Sequence, residues 1–150
     1  MRIKILPPLV MLIFAGGMYA LANLLPVGQF DFFGRRELAI ALLGLAALVM
    51  ILALFQFSKM KTTTNPIDLT KTSSLVTQGI FKYTRNPMYL AMLIILLAFG
   101  LKLSNAFNTL IAAGFVYYMN HFQIRFEEEA LEKKYGKVYS IYKKNTRRWF

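Results

Sequence analysis

Two runs of the chain, Ile5 to Leu25 and Leu38 to Phe57, contain no charged residue. A stretch of about 20 apolar residues matches the hydrocarbon thickness of a bilayer, and backbone groups inside that layer must be satisfied within a helix or a closed barrel. Both runs are therefore expected to be transmembrane helices. Pro7 and Pro8 suit the start of the first, because proline costs least in a helix's first turn. A second apolar pair follows at about residues 88–104 and 105–124, joined near Ser104 and Asn105, residue types that suit a turn. Hydrophobic residues make up 57% of the chain and charged ones 17%, so the polar remainder is confined to the connections and the tail.

The expected fold is all-α and multi-pass: a single domain over residues 1–150, four transmembrane helices with spans three and four forming a helical hairpin, and a cytoplasmic tail over 125–150. Lys and Arg in short loops are retained on the cytoplasmic side. Of the 18 basic residues, only Arg35, Arg36 and Lys102 fall opposite the rest. Both termini are thus expected in the cytoplasm, as for a multi-pass protein of a bacterial or archaeal cytoplasmic membrane. The alternative for the first segment is a signal peptide, since Arg2 and Lys4 precede the run and Ala20-Leu21-Ala22 imitates a cleavage site. Its removal would leave an odd number of spans and force one basic region to the wrong side.

Several chemistries are excluded early. There is no cysteine, hence no disulfide and no thiolate, and a single histidine makes no metal cluster. The net charge of +11 is compatible with nucleic acid, but the basic residues gather on one membrane face without a nucleic-acid motif. Anionic lipid headgroups explain them more simply, at about 1 kcal/mol per basic residue near the surface.

Between spans two and three, Thr62 to Pro66 reads as irregular loop, and Leu75, Val76, Ile80, Phe81 and Tyr83 offer apolar contacts near the membrane surface. Asn86-Pro87 is a helix start on local chemistry alone, Asn as N-cap and Pro at the first helical position. The tail reads as one amphipathic helix with Leu131, Tyr135, Val138 and Tyr142 on one stripe, and Glu129 is placed to pair with Lys133. Glu127, Glu128 and Glu129 favour the positive end of its dipole. Dipole chemistry leaves their location unexplained: four of the chain's seven acidic residues crowd the exit of span four. A helical hairpin returns its two ends to the same face, so Arg85 to Tyr89 and Gln123 to Glu128 should meet.

These two motifs resemble those of the integral-membrane methyltransferases that include isoprenylcysteine carboxyl methyltransferase and, more distantly, the phospholipid N-methyltransferases. That family's Arg-His-Pro-x-Tyr, apolar hairpin and Arg-Ile-x-x-Glu-Glu pattern is similar to Arg85 to Tyr89 and Gln123 to Glu128 here, and Leu131, Tyr135, Gly136, Tyr139 and Tyr142 keep the downstream spacing. The resemblance spans Lys61 to Arg148. It implies S-adenosylmethionine held at the cytoplasmic edge by Leu75, Val76, Phe81, Asn86, Pro87, Tyr89 and Glu127, with Arg85 and Glu128 as catalytic residues and Gln123 on the acceptor side. No metal is implied, and the partners are the lipid bilayer, its anionic headgroups and a lipophilic or lipid acceptor, with no nucleic acid.

Asn86 stands where the eukaryotic enzymes carry His, Gln123 where the family uses Arg toward its acceptor, and Ala91 where a Gly follows the tyrosine motif. The second departure counts against a prenylcysteine carboxylate as acceptor, the third against the phospholipid branch. His121 is the nearby side chain whose ordinary pKa suits a base; the simpler expectation is a hydrogen bond near the interface. Two other classes compete: an NADPH-dependent sterol-type membrane reductase, and a non-catalytic adaptor whose tail binds anionic lipid.

Overall fold

The computed structural model describes residues 5–25, 27–60 and 74–150. Every regular element among them is a helix. Arg2, Lys4, Lys61, Lys71 and the stretch from Thr62 to Pro66 lie outside the described residues.

Helices α1 (Pro7–Leu24) and α2 (Arg35–Lys59) are each long and apolar enough to cross a membrane, and only 17% of the apolar window of each is buried against protein. The core helix of a water-soluble protein would be mostly covered. Here Leu12, Ile13, Ile40, Leu48, Ile51 and Phe55 face outward, an exposure of apolar surface that suits lipid rather than water. Helix α3 (Pro87–Leu103) is apolar but shorter, its 17 residues rising about 25 Å.

Helix α3 is the hub against which α1, α2 and α4 (Asn108–Tyr118) all pack. On α2 the buried Ala39, Ala46 and Ala53 recur at a seven-residue spacing, and α3 buries Ala91, Ala98 and Gly100. Small side chains let helix backbones approach closely where water supplies no driving force between them. Ala91 is fully buried, so it is a packing position. On the other side, Val10 and Met18 of α1 join Met92 and Leu96 of α3 and Phe115 and Met119 in the main core cluster. Phe14 meets Phe115 edge-on at 5.7 Å. The first apolar segment is thus an integral part of the bundle.

At one end, the α1–α2 loop is tied to the α3–α4 turn. Asn105 Nδ2 donates to the carbonyls of Leu25 (3.2 Å) and Val27 (3.1 Å), and Arg35 Nη1 to that of Leu101 (2.6 Å). The chain direction therefore puts the end of α2, the start of α3 and the far end of α4 together at the opposite end.

There the structure departs from expectation twice. Helix α4 does not stop: it runs through a π-helical segment (Met119–Ile124) directly into α5 (Arg125–Tyr135). The tail is also two helices, not one. Gly136 has φ 52°, a conformation that other residues rarely adopt and that ends helices, and α6 (Lys137–Asn145) leaves it in a new direction. The expected stripe is broken accordingly: Val138 is 63% exposed while Tyr139 is buried. Glu129 pairs with Arg125 at 3.1 Å rather than with Lys133.

Candidate functional site

The approach to α3 is a 3-10 turn, Gly79–Lys82, that buries Phe81. Phe81 stands edge-on to Phe57 of α2 at 5.3 Å and clusters with Ala53 and Val76, while Leu75 beside it is half-buried. Gly79 has φ 60°, which favours glycine, and a Cβ there would lie 2.9 Å from Gln56 Oε1 and displace that side chain of α2. The tail docks onto the turn through the Tyr142 hydroxyl, which donates to the Phe81 carbonyl at 2.7 Å.

Next in the chain, Arg85 N donates to the Arg147 carbonyl at 2.9 Å, drawing the C-terminal segment back over the start of α3. Pro87 opens the helix as expected. Asn86 occupies the cap position but makes no side-chain cap; its Nδ2 donates instead to the Arg148 carbonyl at 2.9 Å. The competing partner is the returning tail.

Glu128, 5% exposed, lies at the centre. Its Oε1 accepts from Arg85 Nη2 (2.8 Å) and Arg148 Nε (3.0 Å), and its Oε2 from Arg148 Nη2 (2.6 Å). Arg85 Nη1 reaches the Lys143 carbonyl at 2.8 Å and also donates to that of Thr146. Asn120 Oδ1, in the π segment, accepts from Arg148 Nη1 (3.3 Å) and Trp149 Nε1 (3.1 Å). One turn away the Tyr89 hydroxyl donates to Glu127 Oε1 at 2.6 Å, and Gln123 Nε2 donates to the same oxygen. A widened π turn shifts which side chains face one direction and recurs at functional sites.

Burial pushes the Glu128 carboxyl up, but hydrogen bonds and charge from Arg148 and Arg85 outweigh it and hold the group below the ordinary carboxylate value. The hydrogen bond to Glu128 raises Arg148. Burial raises the Tyr139 phenol, with the Glu128 charge adding to it, and burial followed by Tyr139 raises Tyr142. The phenols are therefore neutral donors at physiological pH, and the two-arginine, one-carboxylate centre carries a surplus positive charge.

Arg85, Asn86, Tyr89, Gln123, Glu127 and Glu128 thus share one connected region. Leu75, Val76 and Phe81 form a neighbouring apolar wall, linked to it by Met88, which packs against both clusters. His121 stands apart on the exposed face, stacked on Tyr117 at 4.1 Å with Nδ1 2.9 Å from the Tyr117 carbonyl. Sequence reasoning missed Arg148, Asn120 and Thr84, whose hydroxyl donates to the Arg148 carbonyl at 3.2 Å. The one available signal was the chain's single tryptophan, next to Arg148 in an otherwise lysine-rich tail.

No solved structure matches the chain. A Haemophilus influenzae protein described only as uncharacterized is 47% identical over 62 residues, which cover 41% of this chain and 98% of that one. Residues 34–138, from the start of α2 into α6, match the phospholipid methyltransferase family. Despite Ala91 at the glycine position, the chain belongs to the phospholipid methyltransferase family of membrane methyltransferases.

Proposed function

We propose that residues 1–150 form one integral membrane methyltransferase domain that uses S-adenosylmethionine to methylate a lipophilic acceptor at the cytoplasmic membrane face. The observation that carries this reading is the convergence of the two motifs on a buried polar centre that still holds an unused donor. Arg85 Nε is buried and has no hydrogen-bond partner among the described residues. A buried donor without a partner costs about 1–3 kcal/mol, a cost that an acceptor such as an amino-acid carboxylate would relieve. Glu127 suits ribose hydroxyls or an ammonium group, and the apolar wall of Leu75, Val76 and Phe81 suits an adenine ring.

In this reading α1, α2, α3 and the α4 segment through Ile124 are the four spans, with both termini cytoplasmic. When bound, the sulfonium supplies an already activated methyl group, whose transfer asks for alignment more than for covalent help. Arg85 and Glu128 set the position of the start of α3 against α5; Tyr89 and Gln123 hold the Glu127 carboxylate; Gln123 borders the acceptor. The family match favours neither a sterol-type reductase nor an adaptor.

Titration of purified protein with S-adenosylmethionine and with NADPH tests the proposal. Binding of the former alone is expected, and Glu127→Gln should weaken it more than tenfold, since a charged hydrogen bond contributes about 1.5–3 kcal/mol. Unchanged affinity would remove Glu127 from the site. Incubation with labelled methyl donor and a lipid extract should then mark the acceptor. A reporter fused after Phe150 should be active only in the cytoplasm; activity on the far side would overturn the topology.

A further inference from the structure

The three cations that stand against the charge bias of the chain, Arg35, Arg36 and Lys102, line the mouth of one cavity. It lies at the end of the bundle opposite Glu128, where α1 and α2 both pack on α3 but leave a cleft between them. The cleft has a volume of about 790 Å³, inside the roughly 300–1,000 Å³ range of small-molecule sites. Apart from the cations its lining is apolar, with Leu12 from α1, Ile40 and Leu43 from α2 and Phe99 from α3. Leu12 and Ile40 are well exposed and open the slot toward the surrounding lipid.

The cations have different duties. Arg35 is committed to the fold, through Asp31 at 2.9 Å and the carbonyls of Leu101 and Lys102. The side chains of Arg36 and Lys102 have no ion pair or hydrogen bond among the described residues. Arg36 also sits at the positive end of the α2 dipole, where Glu37 is the acidic neighbour. Snorkelling to the membrane interface explains a single basic residue at a span end. It does not explain why all the exceptions meet at the head of one apolar slot.

We infer that this cleft binds an anionic phospholipid of the far leaflet, its acyl chain between α1 and α2 and its phosphate between Arg36 and Lys102. The paired cations choose the headgroup, and the slot demands a chain, so a soluble phosphate is not the ligand. The site rests on the protein's residence in a membrane and, for the leaflet, on the proposed orientation of the spans. It stands or falls separately from methyl transfer.

Native mass spectrometry of the detergent-purified protein, offered phosphatidylglycerol or phosphatidylcholine, tests it. Wild type should retain phosphatidylglycerol preferentially. The double variant Arg36→Gln, Lys102→Gln should weaken that retention on the order of tenfold or more, given roughly fivefold per basic residue near an anionic lipid surface, and weaken phosphatidylcholine, whose phosphate is offset by its own ammonium, distinctly less. Ile40→Trp, which fills the slot while keeping both cations, should weaken retention of either lipid. Equal retention of the two lipids by wild type, indifference to both variants, or a protein dimer that Ile40→Trp dissociates would overturn the inference. S-adenosylmethionine affinity on the same preparations reads the opposite end, so loss there with lipid selectivity intact would sink methyl transfer alone.

Discussion

The two ends of the bundle are both rich in hydrogen bonds, yet they use different partners. At the loop end, Asn105 and Arg35 donate to main-chain carbonyls, so each side chain fixes a backbone position. At the other end, Arg85, Arg148, Glu128, Tyr89, Gln123 and Glu127 bond mainly to one another. Neutral hydrogen bonds to backbone contribute about 1 kcal/mol each, charged ones roughly twice that. The first arrangement is a fastening. The second concentrates charge, two guanidinium groups meeting one carboxylate among side-chain atoms.

Glu128→Ala should separate the ends most forcefully. Removing one partner of a buried ion pair costs about 3–5 kcal/mol, and here it strands Arg85 and also releases Arg148. Thermal unfolding in detergent should show that loss together with loss of methyl-donor binding; a stable protein with normal affinity would make Glu128 dispensable. Asn105→Ala removes three hydrogen bonds at the other end, including the one its Oδ1 accepts from Phe107 N, for about 2–3 kcal/mol. It should lower stability and leave donor affinity untouched, and a change in affinity would erase the contrast drawn above. Tyr89→Phe should do the reverse, weakening donor binding by up to about tenfold through a less firmly held Glu127, with little change in unfolding temperature.

Acidification is the gentlest perturbation. Because the folded-state pKa of Glu128 is depressed, its contribution is complete above the unfolded value of about 4.3 and is lost as pH falls through the lower folded value. Stability should therefore decline in that acid range, and Glu128→Gln should flatten the decline. An identical profile in wild type and variant would assign the acid sensitivity to other carboxylates.

The apolar runs made α1 and α2 legible, because twenty uncharged residues admit few solutions in a membrane protein. Proline at position 87 marked the start of α3 for the same kind of local reason. The tail was harder. Its stripe was counted at one uniform period, but Gly136 turns the chain, so side chains past that point face elsewhere than the count expects. Arg148 was invisible because nothing local distinguishes it from its basic neighbours; its partner Glu128 is 20 residues away. The meeting of Arg85 with Glu128 was readable only because a hairpin lies between them.

The unbroken run from Asn108 to Tyr135 has a mechanical consequence. Because α4 continues through the π segment into α5 without a loop, the height of Glu127 and Glu128 follows where α4 settles in the apolar layer. In the proposed membrane-spanning arrangement, helices answer a thicker or thinner hydrocarbon layer by changing tilt. A continuous helical run carries that tilt toward both carboxylates, while Tyr89 and Arg85 move with α3. Bilayer thickness thereby becomes a variable of the site's own geometry, set by acyl-chain length rather than by any residue of the chain.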